Sequence, residues 1–284
     1  MKHSIVSAFA ADTVDDGRNI ANRIYAGDLG GNMFAFRDDA LRATRVKEAS
    51  EGVEPQKTLE QRIDLDGDWQ TRIHLFSVEN PESEFRTAGR RIFAEADFVR
   101  EFMSYWDPAE NQGEGGWRSV VGDWLFFGTG DRANPLRTDK TNYFYCVKND
   151  WHTGHENPLT VNSTVSDFQV LGNKDPGKPV LLDVTRNMIQ QGNDARQHEV
   201  RAMLNAEYNR GWYIELEHEG EKCLSAPQVY SGVVYFTTFT PNQKGADKTN
   251  PCESGGTGGT ARLYALDYKT GAAAYNFHQD PSAP

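Results

Sequence analysis

Cysteine is scarce in this sequence. The chain has 3 cysteines in 284 residues, and Cys146, Cys223 and Cys252 are too scattered for a disulfide framework or a zinc site. Cys146 lies in a strand-like pattern, which indicates a small buried hydrophobic residue. Cys223 and Cys252 can form a disulfide if the protein is exported, and otherwise remain thiols.

Long apolar runs and surplus positive charge are also lacking. No run approaches the roughly 20 apolar residues of a membrane-spanning helix, so we expect no membrane span. No apolar signal-peptide core follows the first three residues, and we expect either a cytoplasmic chain or a segment without its export signal. The net charge of −11 argues against a nucleic-acid partner, because phosphate binding needs clustered Lys and Arg.

Aromatic residues and a repeated hairpin pattern are what the sequence does contain. It has 15 Phe, 11 Tyr and 6 Trp, a composition that excludes a disordered chain. Three segments, 23–37, 124–148 and 233–267, each predict a strand, a polar or glycine-containing connection and a second strand. Repetition of one sheet unit is typical of a β-propeller.

The sequence therefore predicts an all-β fold, a partial or modified β-propeller. Related positions in the three hairpins, Tyr25, Phe126 and Tyr235, lie about 100 residues apart, against roughly 40–50 residues for one propeller blade. Each interval thus holds two blades or one blade with insertions, and we expect about four or five blades of four strands each.

We interpret residues 1–284 as a single domain with two irregular insertions. Residues 101–117 contain Pro108 and a glycine-rich run, which predict an inserted surface loop. Residues 187–209 show a partial apolar helical face and predict one or two short helices, because Gly192-Asn193 interrupts the pattern.

An acidic loop at 12–22 is a candidate metal site. Calcium loops place oxygen ligands at alternating positions and a glycine at the sharp turn. Asp12, Asp16 and Asn22 fit this frame loosely, whereas Val14 stands where a ligand is expected. The spacing by itself favours an ordinary Asp/Gly turn over a calcium site.

Several longer motifs carry a resemblance to a known family. They follow one order along nearly the whole chain and include Arg23-Ile-Tyr-Ala-Gly-Asp-Leu-Gly-Gly-Asn32, Phe126-Phe-Gly-Thr-Gly-Asp-Arg132, Gly211-Trp-Tyr-Ile-Glu-Leu216, Glu221-Lys222 and Leu263-Tyr-Ala-Leu-Asp267. In these residues the chain resembles the C-terminal β-propeller domain of the PilY family of type IV pilus tip and biogenesis proteins.

The resemblance implies a non-enzymatic protein of the cell surface or pilus tip. It would dock on minor pilins or another envelope protein in pilus assembly and adhesion. The resemblance also implies that the acidic loop before the Tyr25 strand binds Ca²⁺. The ligands would be Asp12, Asp16 and Asn22, with Arg18 offering its backbone carbonyl.

Two other functions stay open at the level of sequence. A propeller can also be an enzyme, for instance a quinone-dependent dehydrogenase, although the sequence shows no nucleophile–histidine motif and no dinucleotide fingerprint. Alternatively the chain is a structural subunit whose open propeller is completed by a partner chain, because an incomplete wheel leaves strand edges available for pairing.

Overall fold

The computed structural model describes residues 5, 10–13, 21–37, 71–77, 90–107, 115–149, 159–160, 164–165, 180–186, 188–205, 209–242 and 258–275. In chain order, the elements are β1 (Ala10–Thr13), β2 (Ala21–Gly27), β3 (Asn32–Arg37), β4 (Thr71–Ser77), β5 (Asp97–Asp107), β6 (Gly116–Gly128), β7 (Tyr143–Asn149), β8 (Leu159–Thr160), β9 (Thr164–Val165), β10 (Val180–Asp183), α1 (Met188–Gln191), α2 (Asp194–Leu204), β11 (Asn209–Glu215), β12 (Lys222–Cys223), β13 (Gln228–Tyr230), β14 (Val233–Pro241) and β15 (Gly259–Asp267).

These strands form three sheets. The first has the order β1-β2-β3-β4-β8 and the second has the order β5-β6-β7-β11-β10-β9. In the third sheet, β14 pairs with β12, β13 and β15. Most pairs are antiparallel, but β8 joins β4 in parallel, and β10 is parallel to both β9 and β11.

The three predicted hairpins are confirmed, one in each sheet. They are β2–β3, β6–β7 and β14–β15. The β2–β3 turn needs glycine at Gly31, whose φ of 76° lies in the left-handed region that side chains disfavour. The turn before β14 has the same requirement at Gly232, with a φ of 83°.

The sheets stack face to face through two aromatic cores. Alternation along β6 decides which core each residue joins, because successive strand residues point to opposite faces. Phe127 packs with the first sheet, where its ring centroid lies 5.3 Å from that of Phe76. Phe126 belongs to the core shared with the third sheet, in which Phe144 and Phe236 stack at 3.7 Å.

The predicted all-β class is confirmed, with sheets larger than predicted. Only the third of the described sheets has the expected four strands, and the first two have five and six. No sheet among the described residues closes on itself. The number of blades stays a prediction.

The helical insertion contains the predicted break. Helix α1 ends at Gln191, and Asn193 caps α2 by accepting a hydrogen bond at 3.0 Å from the Arg196 amide. Val200, Met203 and Leu204 are buried in the core between the second and third sheets. The insertion ends before residue 209, where β11 begins.

The predicted surface loop at 101–117 is wrong. Residues 101–107 belong to β5, and β6 starts at Gly116. The two strands pair continuously from Asp97–Phe126 to Asp107–Gly116. The aromatic and apolar residues of 101–107 are strand formers, and their propensity and pairing with β6 outweigh the loop signal of the proline and glycines that follow in the sequence.

Candidate functional site

The structure brings two of the four predicted calcium ligands together. In the β1–β2 hairpin, Asp12 lies opposite Arg23, and the register then shifts so that Thr13 lies opposite Ala21. Asn22 is therefore the extra residue of a β-bulge beside Asp12. Asp16 and Arg18 lie outside the described residues. Carboxylate and amide oxygens are the donors that calcium takes, so the donor types of this hairpin fit the ion.

Arg23, the residue after Asn22, connects the hairpin to the second sheet. Arg23 donates from Nη1 to Asp123 Oδ2 of β6 at 2.8 Å. Asp123 is fully buried. It also accepts hydrogen bonds from the hydroxyl of Tyr25 and, at 3.1 Å, from Nε of Arg100. We call Arg23, Tyr25, Arg100 and Asp123 the junction cluster.

Strand alternation builds the junction cluster. Arg23 and Tyr25 lie two positions apart on β2 and so share the face toward the second sheet. On that sheet, Arg100 of β5 lies directly opposite Asp123 of β6. A buried carboxylate needs such partners, because an unpaired charge is costly in the interior.

Electrostatics keep Tyr25 a hydrogen-bond donor. Burial, followed by the negative charge of Asp123, raises the pKa of Tyr25 well above its ordinary value. The phenol therefore stays protonated across the physiological range. The junction cluster is suited to holding the acidic hairpin in place.

Two aspartates close equivalent turns in the first two sheets. After β2, Asp28 Oδ1 accepts hydrogen bonds from the amides of Gly30 at 2.8 Å and Asn32 at 2.9 Å. After β6, Asp131 accepts from the amide of Ala133 at 3.1 Å and from Nδ2 of Asn134 at 2.8 Å. Both aspartates follow glycine in motifs that carry the family resemblance.

One short segment links these two turns. The Ile92 amide donates to the Asp28 carbonyl at 3.2 Å, and the Arg91 carbonyl accepts from the Gly130 amide at 2.9 Å. Arg91 also lies 3.5 Å from the buried carboxylate of Asp131. The two motif turns are thus held at the same end of the first and second sheets.

A second buried carboxylate, Glu221, joins the second and third sheets. Its Oε1 accepts hydrogen bonds from Thr238 at 2.5 Å and from Tyr264 at 3.0 Å. Its backbone carbonyl accepts from Nδ2 of Asn142 at 2.7 Å. The neighbouring Lys222 amine donates to the Gly220 carbonyl at 2.7 Å. Glu221 and Lys222 are therefore buried residues that connect parts of the fold through hydrogen bonds.

Sequence reasoning did not identify Asp123 as a joint. The sequence does contain an indication of this role, because Asp123 is a single acidic residue within the apolar run of β6. An acidic side chain in a strand buried on both faces needs a hydrogen-bond or ion-pair partner. Glu221 and Lys222 were noted only as part of the resemblance.

Features of other site types are few among the described residues. Within the described ranges, no group of three or more His, Cys, Asp or Glu side chains is arranged to hold a metal ion. No helix in the same ranges has the length and apolar character needed to cross a membrane. Cys146 and Cys223 are buried free thiols, whereas Cys252 lies outside the described residues.

The comparisons with known proteins give a similarity among solved structures alone. Neither a protein-family model nor a curated protein matches the chain. Among solved structures, the C-terminal domain of PilY1 from Pseudomonas aeruginosa is similar, with 19% identity and a TM-score of 0.46. The alignment covers 93% of this chain and 47% of the solved one, so this chain spans about half the length of that protein chain. The match is to the family that the sequence motifs indicated.

Proposed function

We propose that this chain is a non-enzymatic, propeller-like module of type IV pilus biogenesis, exposed at the cell surface or pilus tip. The observation that carries the proposal is the equivalence of Asp28 and Asp131. Each follows a glycine in a motif of the resemblance, and each closes a turn in the connection that follows the first strand of a hairpin. The two motifs thus share a structural role. A chance similarity of short segments would give no reason to expect such a shared role.

The module docks on minor pilins or on another envelope protein, in assembly or adhesion. Calcium binds at the β1–β2 hairpin, through Asp12, Asp16, Asn22 and the backbone carbonyl of Arg18. The bulge that sets Asn22 beside Asp12 supports this ligand set. An ion at this loop orders it, because calcium binding and loop folding are coupled.

A binding experiment tests the docking. Immobilised protein is incubated with purified minor pilins in calcium and in a calcium chelator. We expect capture in calcium and weaker capture with the chelator. The Asp16→Asn variant should behave like the chelated wild type. Glu217→Gln, which changes an exposed carboxyl between β11 and β12, should behave like the wild type in calcium. Absence of capture under every condition would refute docking on minor pilins.

A second function is favoured by one observation. The third sheet exposes Tyr230 at 76% and Leu263 at 52%, and Tyr275 in the segment after β15 is 55% exposed. Sheets that do not close among the described residues, with such exposed side chains, are also compatible with a structural subunit whose propeller is completed by another chain. Light scattering during size-exclusion chromatography separates the two functions, because a completing partner or second copy raises the measured mass.

A further inference from the structure

The outer face of the third sheet carries exposed aromatic side chains. Phe236 of β14 points into the core, so Tyr235 and Thr237 on either side of it point outward. Tyr230 of β13 lies opposite Val233 of β14, which places it on the same outward face. We define the outer platform as six residues of this face: Gln228, Tyr230, Tyr235, Thr237, Phe239 and Leu263.

Aromatic rings lie along the outer platform. Tyr230 is exposed on β13, and the Tyr235 hydroxyl is hydrogen-bonded to the exposed Tyr275 in the segment after β15. The Phe239 ring lies against Gly259, where a Cβ atom would be 1.9 Å from the ring. Glycine at this position therefore leaves room for the ring on the sheet surface. Tyr235 and Phe239 are four residues apart, about 13 Å along the strand.

None of the six residues of the outer platform is charged. On β15, the first charged residue of this face is Asp267, whose carboxylate accepts hydrogen bonds from amides of the following turn. Lys222 lies opposite Phe239 but is buried, with its amine bonded to the Gly220 carbonyl. Charged residues make up 25% of the chain, so the outer platform is depleted of them. A charged ligand would therefore find no ion-pair partner on it.

Uncharged hydrogen-bonding groups lie among the rings. Thr237 Oγ1 lies 2.7 Å from Ser225 Oγ, and the exposed Gln228 lies opposite Tyr235. Tyrosine itself combines apolar ring faces with a polar hydroxyl. Protein interfaces bury a more continuous apolar core, whereas Leu263 is the only aliphatic member of the outer platform. The surface thus alternates between apolar faces and neutral polar groups.

A neutral sugar chain has the complementary surface. Each pyranose ring has a face of C–H groups, which packs on an aromatic ring, and a rim of hydroxyls, which form hydrogen bonds without a counter-charge. We propose that the outer platform binds an uncharged β-1,4-linked glycan, with its sugar rings on Tyr230, Tyr235 and Phe239. The β-1,4 linkage gives an extended ribbon that can follow a strand, whereas an α-1,4 linkage gives a coil. This binding needs neither calcium nor a pilin.

Isothermal titration calorimetry of the full chain with cellohexaose and with N-acetylchitohexaose tests the proposal. At least one of these β-1,4-linked chains should bind, and the α-1,4-linked maltohexaose should bind about tenfold more weakly or not at all. Tyr230→Ala removes a stacking face and should lower the affinity about tenfold, which corresponds to 1.4 kcal/mol. Phe102→Ala removes a comparably exposed aromatic ring from β5 and should leave the affinity unchanged.

Four results would overturn the proposal. They are no binding of either β-linked chain, equal affinity for maltohexaose, wild-type affinity in both Tyr230→Ala and Tyr235→Ala, and an equal loss in Phe102→Ala. Light scattering adds an independent check, because a larger mass for the wild type than for Tyr230→Ala would assign the outer platform to a second copy of the chain instead. Circular dichroism verifies that each variant is folded.

Discussion

Tyr25 of the first sheet donates a hydrogen bond to Asp123 of the second, although 98 residues separate them along the chain. Tyr25 lies on β2, the strand of the acidic hairpin that also carries Asn22. The bond connects the first sheet to the second with a charged acceptor in a fully buried position, where hydrogen bonds are strong and their loss is costly. Because this bond joins two sheets, the position of the acidic hairpin depends on how the first sheet packs against the second.

The hydroxyl group of Tyr25 should stabilise the fold more than that of Tyr145, although both residues are buried in the same core. Tyr25→Phe removes a bond to a charged acceptor and should lower the free energy of unfolding by about 1–3 kcal/mol. The Tyr145 hydroxyl has no hydrogen-bond partner in the described structure, so Tyr145→Phe should be neutral or stabilise by up to about 1 kcal/mol. Urea denaturation of both variants measures the difference, and equal losses would contradict it.

Removing the charge of Asp123 should be more damaging than removing either tyrosine hydroxyl. Asp123→Asn leaves Arg23 and Arg100 without their shared carboxylate, and we expect a loss of about 3–5 kcal/mol, the usual effect of breaking a buried ion pair. Arg100→Gln is the milder control, because the Arg100 side chain is 34% exposed. Guanidinium denaturation of both variants measures the loss in free energy of unfolding. A larger loss in Arg100→Gln than in Asp123→Asn would contradict the central place of Asp123 in the junction cluster.

Gly211 should tolerate no side chain. Its φ is 129°, and a Cβ atom would lie 1.9 Å from the Cys146 carbonyl oxygen of the paired strand. Gly211→Ala should therefore prevent β11 from pairing with β7 and give little soluble protein. Gly232→Ala shares the positive φ, but its nearest neighbour would lie 4.0 Å away, and strain alone should cost about 1–2 kcal/mol. Similar soluble yields and melting temperatures would contradict the difference.

The thiols of Cys146 and Cys223 should be unreactive in the folded protein at pH 8. Burial raises the pKa of both groups above the ordinary value, so the nucleophilic thiolate is scarce at this pH. Peptide mapping after brief alkylation should show both residues unmodified before unfolding and modified in guanidinium. Rapid modification of either residue in the native state would show that its part of the core is open.

Structural features that depend on residues close together in the chain could be predicted from the sequence. The three hairpins follow from local alternation and turn residues such as Gly31, and the break between α1 and α2 follows from Gly192 and the capping residue Asn193. The strand β5 was missed because glycine and proline nearby outweighed its aromatic residues. Its pairing with β6 decides the outcome, which is a tertiary effect on local propensity.

The joints between sheets could not be predicted from local sequence. Asp123 finds its partners on β2 and β5, and Glu221 finds Tyr264 at a separation of 43 residues. No spacing rule links residues so far apart in the chain. Within the candidate site, the loop pattern and the family resemblance indicated Asp12 and Asn22, but only the strand register shows that they are neighbours.

The most direct test of the central claim is the melting temperature of the protein with and without calcium, for the wild type and Asp16→Asn. An ion that binds only the folded state at 100 times its dissociation constant stabilises it by about 2.7 kcal/mol. We predict a rise of several degrees in the wild type and none in the variant, with Glu217→Gln behaving like the wild type. No rise in the wild type, or the same rise in Asp16→Asn, would contradict the assignment of calcium to this hairpin.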